Sequence, residues 1–127
     1  MVETSVPAGT HIGHVHLKVA DIDRAVDFYH ETMGFDVIVK FDTAAFLSAG
    51  GYHHHLGLNT WAGESAPPPP SGSRGLRQFE IVLPNADQLA AEEDRLTEAG
   101  FEPAREDDRV RVTDPSGNDL VLSAAMG

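Results

Sequence analysis

The chain has 127 residues, of which 41% are hydrophobic, and this is enough for a single globular domain with its own core. A formal net charge of −11 with only 9 Lys and Arg excludes a basic nucleic-acid surface. The absence of cysteine excludes disulfides and thiolate ligands, so any metal is expected to bind imidazole, carboxylate or amide groups. The sequence shows no export signal and no run of about 18 apolar residues, which predicts a cytoplasmic protein that binds no membrane.

The first predicted elements are a strand and a helix. In IGHVHLKV, residues 12–19, apolar side chains alternate with His and Lys, which predicts a strand with one apolar face. The helix that follows has Asp21 as its N-cap and Gly34 as its C-terminal stop. Three strand-like runs come next, in FDVIVKF, TAAFLSAG and YHHHLGLNTW. Residues 11–62 are therefore predicted to form a βαβββ module.

The same order of elements occurs a second time. A connector rich in Pro, Gly and Ser, residues 63–75, is predicted to be stiff and partly extended. The strand RQFEIVL follows, then a helix between Asn85 and Gly100, then FEPAR, RVRVT and NDLVLSA. Residues 76–124 thus form a second predicted βαβββ module. The prediction is one α+β domain over residues 1–127, with two related modules that share a core.

Two stretches of the sequence point to a known family. GHVHLKVADIDRAVDFYHETMGF in module one and RVTDPSGNDLVL in module two resemble the vicinal oxygen chelate superfamily of glyoxalase I, bleomycin-resistance proteins and type I extradiol dioxygenases. A third stretch, AAFLSAGGYHHHLGLNTWAG, is more narrowly similar to the catechol 2,3-dioxygenase-like branch. The resemblance covers residues 11–124. It implies that the two modules form a curled half-barrel sheet around a cavity, with the helices outside.

The resemblance also implies a metal site on the first and fourth strands of both modules. The four ligand positions of the family fall on His14, His55, Gln78 and Val121. Two are imidazoles, one is an amide, and one has lost its ligand. The implied cofactor is a divalent metal ion, with Fe2+ favoured and Ni, Co, Mn or Zn as alternatives. A hydrogen-bonded polar pocket without metal is the competing interpretation.

Strand alternation divides the three consecutive histidines at residues 53–55. If all three lie on the fourth strand, His53 and His55 share the cavity face with His14 and His16. His54 would then point with Leu56 and Leu58 toward a helix and have a structural role. We expect His53 and His16 to act as catalytic proton-transfer groups or to support the ligands, with surface or structural roles as the alternative.

Other candidates come from both modules. Glu80 is expected on the cavity face, as a general base whose pKa is raised by burial, as a substitute ligand, or simply paired with an Arg. Tyr52, Asn59 and Arg111 are the candidate substrate-binding residues. For Arg111, an exposed ion pair with the acidic residues at 106–108 is the competing expectation. Trp61 is a candidate for the mouth of the pocket together with Tyr52 and Asn59, and a buried anchor is the favoured alternative for this side chain.

The predicted function is a metal-dependent, dioxygenase-like enzyme that acts on a small vicinally oxygenated or aromatic substrate. Val121 departs from this pattern, because an extradiol site needs a carboxylate there. The alternative is a metal-free small-molecule-binding protein of the bleomycin-resistance type. A homodimer is expected in either case, and exchange of the modules between subunits across the connector is one form that it can take.

Overall fold

The structure is a computed structural model that describes residues 5–68, 70 and 72–125. Module one contains the strands β1 (Val15–Lys18), β2 (Asp36–Lys40), β3 (Ala44–Ser48) and β4 (Leu56–Asn59). Module two contains β5 (Phe79–Leu83), β6 (Ala104–Glu106), β7 (Arg109–Thr113) and β8 (Asp119–Ala124). Each module has one helical segment after its first strand. These are α1 (Ile22–Val26), which continues as a π-helical segment (Asp27–Thr32), and α2 (Ala86–Glu98).

Each module forms a four-stranded sheet with the same topology. The strand order is β1-β4-β3-β2 in one sheet and β5-β8-β7-β6 in the other. The first pair of each sheet is parallel and the other two pairs are antiparallel. Within the described residues the sheets are not closed into a barrel. The predicted α+β fold of two βαβββ units is confirmed.

The helices begin and end at the predicted residues. The side chain of Asp21 accepts a hydrogen bond from the backbone N–H of Arg24, and Asn85 accepts one from Gln88. These caps satisfy amide groups that lack partners within the helix. Gly34 and Gly100 follow the helical segments with φ of 97° and 93°, a conformation that glycine adopts without a steric cost.

One buried cluster joins the two modules. Its fully buried members come from both sheets and both helical segments, and they include Phe28, Tyr29, Leu17, Leu47, Leu89 and Leu122. Phe28 packs edge-on against Phe101, with ring centroids 4.8 Å apart. The hydroxyl of Tyr29 donates a 2.6 Å hydrogen bond to Asp114. Burial and the neighbouring Asp114 carboxylate raise the pKa of Tyr29 well above its usual value, so this donor keeps its proton.

The turn between β7 and β8 binds the end of β1. Asp114 accepts hydrogen bonds from the backbone N–H groups of Ser116 and Asn118. The side chains of the same two residues form hydrogen bonds with module one. The Ser116 hydroxyl accepts from Ala20 N at 2.9 Å, and the Asn118 amide donates to Lys18 O at 3.0 Å. The DPSGN turn is therefore a contact between the modules.

Two strands are shorter than predicted. β1 begins at Val15 rather than at residue 12, and β4 begins at Leu56. His14 and all three consecutive histidines therefore precede their strands, so strand alternation does not govern where these side chains point. In the connector, residues 69 and 71 lie outside the described residues. The part of the connector before residue 69 is held to module one by two hydrogen bonds. Ser65 N donates to Ala20 O, and Lys18 Nζ donates to Pro67 O.

Candidate functional site

A cavity of about 540 Å³ lies between module one and β5. Three of the predicted site residues, His14, His55 and Glu80, are in its wall. The rest of the wall is mostly apolar and includes Val15, Phe35, Leu56, Phe79, Ile81 and Val82. The structure thus brings two imidazoles of module one and one carboxylate of module two to a single cavity, as is common for small-molecule sites with a few polar groups in an apolar wall.

The pairing of β1 with β4 explains why His14 and His55 are neighbours. The parallel register aligns Val15 with Leu56, and Val15 N donates to His55 O at 3.0 Å. Each histidine is the residue immediately before one of these aligned positions. The two side chains are therefore brought together by strand pairing, although neither residue belongs to a strand.

His55 has a fixed tautomer in this structure. Its Nδ1 accepts a hydrogen bond from Ala49 N at 3.2 Å, and Ser48 Oγ lies 3.4 Å from the same atom. A backbone N–H can only donate, so Nδ1 carries the lone pair and Nε2 carries the proton. His55 can therefore donate a hydrogen bond from Nε2, and ligation of a metal through Nε2 requires the other tautomer.

Glu80 is an ionised carboxylate rather than a raised-pKa base. It accepts a hydrogen bond from the Ser123 hydroxyl, and Arg109 Nη2 lies 3.3 Å from Oε2. The Ser123 hydrogen bond, helped by Arg109, holds the pKa of Glu80 below its usual value and outweighs the effect of burial. The expected upward shift is wrong, because β5 leaves this side chain partly exposed beside two donors.

The position predicted for His54 is also wrong. Its ring lies 4.3 Å from that of His14 and 5.2 Å from Phe46, on the side of the histidines rather than against a helix. Burial lowers the pKa of His54, and neighbouring histidines, His14 first, lower it further. His53 Nδ1 lies 3.1 Å from His54 Nδ1, which requires one of these two atoms to carry a proton.

His16 lies on the open face of sheet one, away from the helix. Burial lowers its pKa, and the neighbouring His14 lowers it further, which favours neutral imidazole at neutral pH. Its ring is 5.4 Å from the Trp61 ring and 6.1 Å from the Phe46 ring. Trp61 is 68% exposed, so the expected burial of this side chain is wrong.

The three predicted substrate-binding residues lie in different places. The Tyr52 ring lies tilted against the rings of His53 and His55, with centroid distances of 4.1 and 4.6 Å. Asn59 Oδ1 accepts a hydrogen bond from Trp61 N at 3.0 Å, so this oxygen fixes the turn that carries the tryptophan. Arg111 lines a separate cavity in module two and lies 3.9 Å from Glu106 Oε1, the ion pair that was the competing expectation.

The predicted ligand positions in module two are not part of the cavity wall. Gln78 is exposed and precedes β5. Val121 is 3% exposed and lies opposite Glu80 in the β5–β8 register. Glu80 is therefore the residue of module two that brings a possible oxygen ligand to His14 and His55.

The donor types around the cavity suit a divalent transition metal, because two imidazoles and a carboxylate are common ligands. Over residues 5–68, 70 and 72–125, however, no group of three or more His, Asp or Glu is close enough to hold an ion in the present side-chain positions. Binding would require His55 to exchange the Ala49 hydrogen bond and Glu80 to leave Ser123 and Arg109. The residues fit a metal in chemistry and need a local rearrangement to bind it.

Sequence reasoning missed two residues that shape this region. Phe46 contacts both His16 and His54, and Gly57 lies opposite His16. A glycine inside a strand is itself a signal, since it marks positions where another group comes close to the backbone.

No helix in the described part of the chain is long and apolar enough to cross a membrane.

Comparisons with known proteins agree with this architecture. A family model described as the Glyoxalase/Bleomycin resistance protein/Dioxygenase superfamily matches residues 11–122. A catechol-2,3-dioxygenase from Bacillus subtilis is 44% identical over 115 residues, which are 89% of this chain and 40% of that protein. The chain therefore spans about two fifths of the length of this relative.

Solved structures share the fold at lower identity. A lactoylglutathione lyase from Agrobacterium tumefaciens has a TM-score of 0.69 and 19% identity, with 95% of this chain and 96% of that chain covered. The antibiotic binding protein TnmS3 from Streptomyces sp. CB03234 has a TM-score of 0.64 and 25% identity, with 95% and 100% covered. One fold thus carries both a lyase and a binding protein, so function has to be argued from the site.

Proposed function

Because the chain belongs to the glyoxalase, bleomycin resistance protein and dioxygenase superfamily, we propose that it is a metal-dependent, dioxygenase-like enzyme acting on a small aromatic or vicinally oxygenated substrate. The observation that carries the proposal is the placement of His14, His55 and Glu80 in the wall of one cavity. The 44% identity to a catechol-2,3-dioxygenase supports the same reaction class. Since the match covers 40% of that protein, the activity of the whole relative is carried over here only as a proposal.

We propose that His14 and His55 hold the metal. Glu80 would replace the carboxylate that the family has at the position of Val121. Gln78, the family's ligand position on the fifth strand, is the competing third ligand. When bound, a divalent metal would polarise two adjacent oxygens of the substrate and lower the pKa of their protons. Fe2+ is the favoured ion because two imidazoles and a carboxylate suit it, with Ni, Co, Mn and Zn as alternatives.

Proton transfer is assigned to neutral imidazole. A lone-pair nitrogen of His16 is available at neutral pH because its pKa is lowered by burial. This lone pair lies in the ring plane, so it would accept a proton from a substrate hydroxyl at the edge of the imidazole and not from one above its face. His53 stays a second candidate for this role, and Tyr52 and Asn59 stay candidates for substrate binding. The apolar part of the wall would exclude water from the reacting oxygens.

Metal content and oxygen uptake test the proposal. Tag-free protein is loaded with Fe2+ without oxygen, desalted, and analysed for metal; oxygen uptake with catechol is then followed by electrode. We expect about one metal per chain and uptake that requires both metal and catechol. The loading is repeated with Ni, Co, Mn and Zn. Less than about 0.2 metal per chain with each of the five ions would contradict the proposal.

Metal-free binding of a small molecule is the second candidate function. It is favoured by the hydrogen bond that Ala49 N donates to His55 Nδ1, because this bond holds the tautomer whose Nε2 carries a proton and has no lone pair for a metal. The antibiotic binding protein with the same fold supports this class. Tight binding of an aromatic ligand in the presence of a chelator, without oxygen uptake, would favour the binding protein over the enzyme.

Three wider features remain predictions. A homodimer and a cytoplasmic location are proposed on the family resemblance and on composition, and light scattering and cell fractionation test them. We propose that the two modules, residues 11–62 and 76–124, together with the connector between them form a single folding unit. A single cooperative unfolding transition is expected, because buried side chains of both modules form one cluster.

A further inference from the structure

Four residues form one row across sheet one. The registers align His16 with Gly57, Gly57 with Phe46, and Phe46 with Val39, so the row crosses β1, β4, β3 and β2. Directly opposed residues on neighbouring strands point to the same face of a sheet. This is the open face of sheet one, because the helix-facing positions next to the row are Leu17, Leu58 and Leu47, which are buried.

The His16 ring occupies the space that a side chain at position 57 would fill. A Cβ atom placed on Gly57 would lie 2.7 Å from His16 Nδ1 and 3.0 Å from Cε1. Non-bonded carbon and nitrogen atoms do not approach so closely, so the ring can lie there only because residue 57 is glycine. Gly57 has no positive φ that would explain a glycine by backbone conformation.

With His16 in this position, three rings form one surface. Trp61 lies tilted by 32° to the His16 ring, and Phe46 meets the same ring edge-on. The surface continues through Phe46 to His54 and from there to His14 in the cavity wall. Trp61 is 68% exposed and is fixed at its base by Asn59. An exposed, oriented aromatic surface that leads to the candidate metal site suits a planar ring, because stacking is favourable for flat faces.

We propose that Gly57 is a positioning residue that lays the His16 imidazole flat across β4, and that His16, Trp61 and Phe46 form a stacking subsite for the planar ring of the substrate. The proposal rests on the proposed function, since it assigns the part of that site that selects aromatic over aliphatic vicinal diols. It concerns ring binding alone and therefore can be tested without metal.

The sole tryptophan of the chain makes the test direct. Trp61 emission is excited at a wavelength that catechol does not absorb, and chelator-treated protein is titrated with catechol or with cyclohexane-1,2-diol. Catechol is expected to change the emission saturably, and the aliphatic diol is not. The Gly57→Ala variant is expected to bind catechol about 5-fold to 10-fold more weakly, as loss of one aromatic contact predicts.

Two further measurements separate positioning from general damage. In a His16→Ala background, Gly57→Ala should have no additional effect, because its action passes through that ring. In the absence of ligand, the NMR resonance of the His16 ring should shift in Gly57→Ala, because the ring moves relative to Trp61. Val39→Ala, at the other end of the same row, is the matched control and should leave catechol binding and the resonance unchanged.

Several results would overturn the proposal. They are an emission unaffected by catechol, an equal response to the aliphatic diol, unchanged affinity in Gly57→Ala, or emission that varies with protein concentration because a second copy covers Trp61. Failure of the proposed function looks different. In that case metal is not retained and oxygen is not consumed, while catechol still changes Trp61 emission and Gly57→Ala still weakens its binding.

Discussion

The two modules have the same topology and different chemistry. All seven histidines of the chain precede Leu56, whereas the open face of module two carries Glu80, Arg109 and Arg111. The proposed metal site therefore needs both modules, because its imidazoles come from one module and its carboxylate from the other. The repeated topology gives the two modules the same fold, and the residues that differ between them are the ones that we propose for the site.

The inner faces of the two helical segments differ as well. Phe28 is the seventh residue after the Asp21 cap, and Glu92 is the seventh after the Asn85 cap. Phe28 is 1% exposed and packs on Phe101, as an aromatic core residue does. Glu92 is 4% exposed, pairs through one oxygen with Arg95, and has no partner for Oε2 in the described part of the chain. One position of the fold thus holds a packed ring in module one and a buried carboxyl in module two.

Removing the imidazoles should have the largest effect. His14→Ala combined with His55→Ala is expected to reduce bound Fe2+ to less than about 0.1 per chain, because two of the three proposed ligands are lost. Elemental analysis of the desalted protein measures this. Gln78→Ala is the control and should retain the metal, whereas Glu80→Ala should lose it. Loss of metal in Gln78→Ala with retention in Glu80→Ala would show that module two contributes the amide of Gln78 rather than the carboxylate of Glu80.

Removing the Asp114 carboxylate should strongly weaken the contact between the modules. Asp114 is 4% exposed and accepts hydrogen bonds from Tyr29, Ser116 and Asn118. Asp114→Ala leaves these donors without their partner and is expected to lower the free energy of unfolding by about 3 kcal/mol. Tyr29→Phe, which removes one of the bonds, should cost about 1 kcal/mol. Urea denaturation measures both, and equal costs would contradict this account.

Replacing the buried carboxyl of α2 should stabilise the protein. Burial raises the pKa of Glu92, and the opposing effect of Arg95 is smaller. The folded state therefore favours the protonated form. The stabilising contribution of that form is complete below the unfolded pKa and is lost as pH rises through the folded pKa. Glu92→Gln is expected to be more stable than the natural chain by about 1 kcal/mol at pH 7, with a smaller advantage at pH 4.

The control for this variant is Glu98→Gln, an exposed position on the same helix. It should change the melting temperature little at either pH. A Glu92→Gln protein that is less stable than the natural chain at pH 7 would mean that the ion pair with Arg95 outweighs the cost of burial.

The smallest effect is expected at Glu80. Its pKa is lowered mainly by the Ser123 hydroxyl, so its stabilising contribution is present above the unfolded pKa and is lost as pH falls through the folded pKa. Ser123→Ala should raise the Glu80 pKa, measured by carbon NMR of the carboxyl group. Because the side chain is 41% exposed, the cost in stability should be less than about 0.5 kcal/mol. An unchanged pKa would assign the shift to Arg109 instead.

The fold could be predicted from sequence because its signals are local. Asp21 and Asn85 as caps, Gly34 and Gly100 as stops, and alternating strands each depend on a few neighbouring residues. The pairing of β1 with β4, which brings His14 beside His55, came from the family resemblance rather than from any local signal.

The remaining features of the site depend on contacts between distant parts of the chain. His54 was assigned to the packed face because the strand was predicted to include it, and the actual start of β4 at Leu56 removes that constraint. The pKa of Glu80 depends on Ser123, which is 43 residues away in sequence. Trp61 was expected to be buried, as large aromatic residues generally are, but its surroundings leave it exposed.

The DPSGN turn has a mechanical consequence. It holds β1 at its carboxyl end, through Lys18 and Ala20, whereas the cavity lies at the amino end of the same strand, beside His14. β1 is paired with β4 along its whole length, so it moves together with module one. A small rotation of module one against module two about this turn would therefore leave the contacts of Ser116 and Asn118 almost in place while it changes the distance between His14 and Glu80.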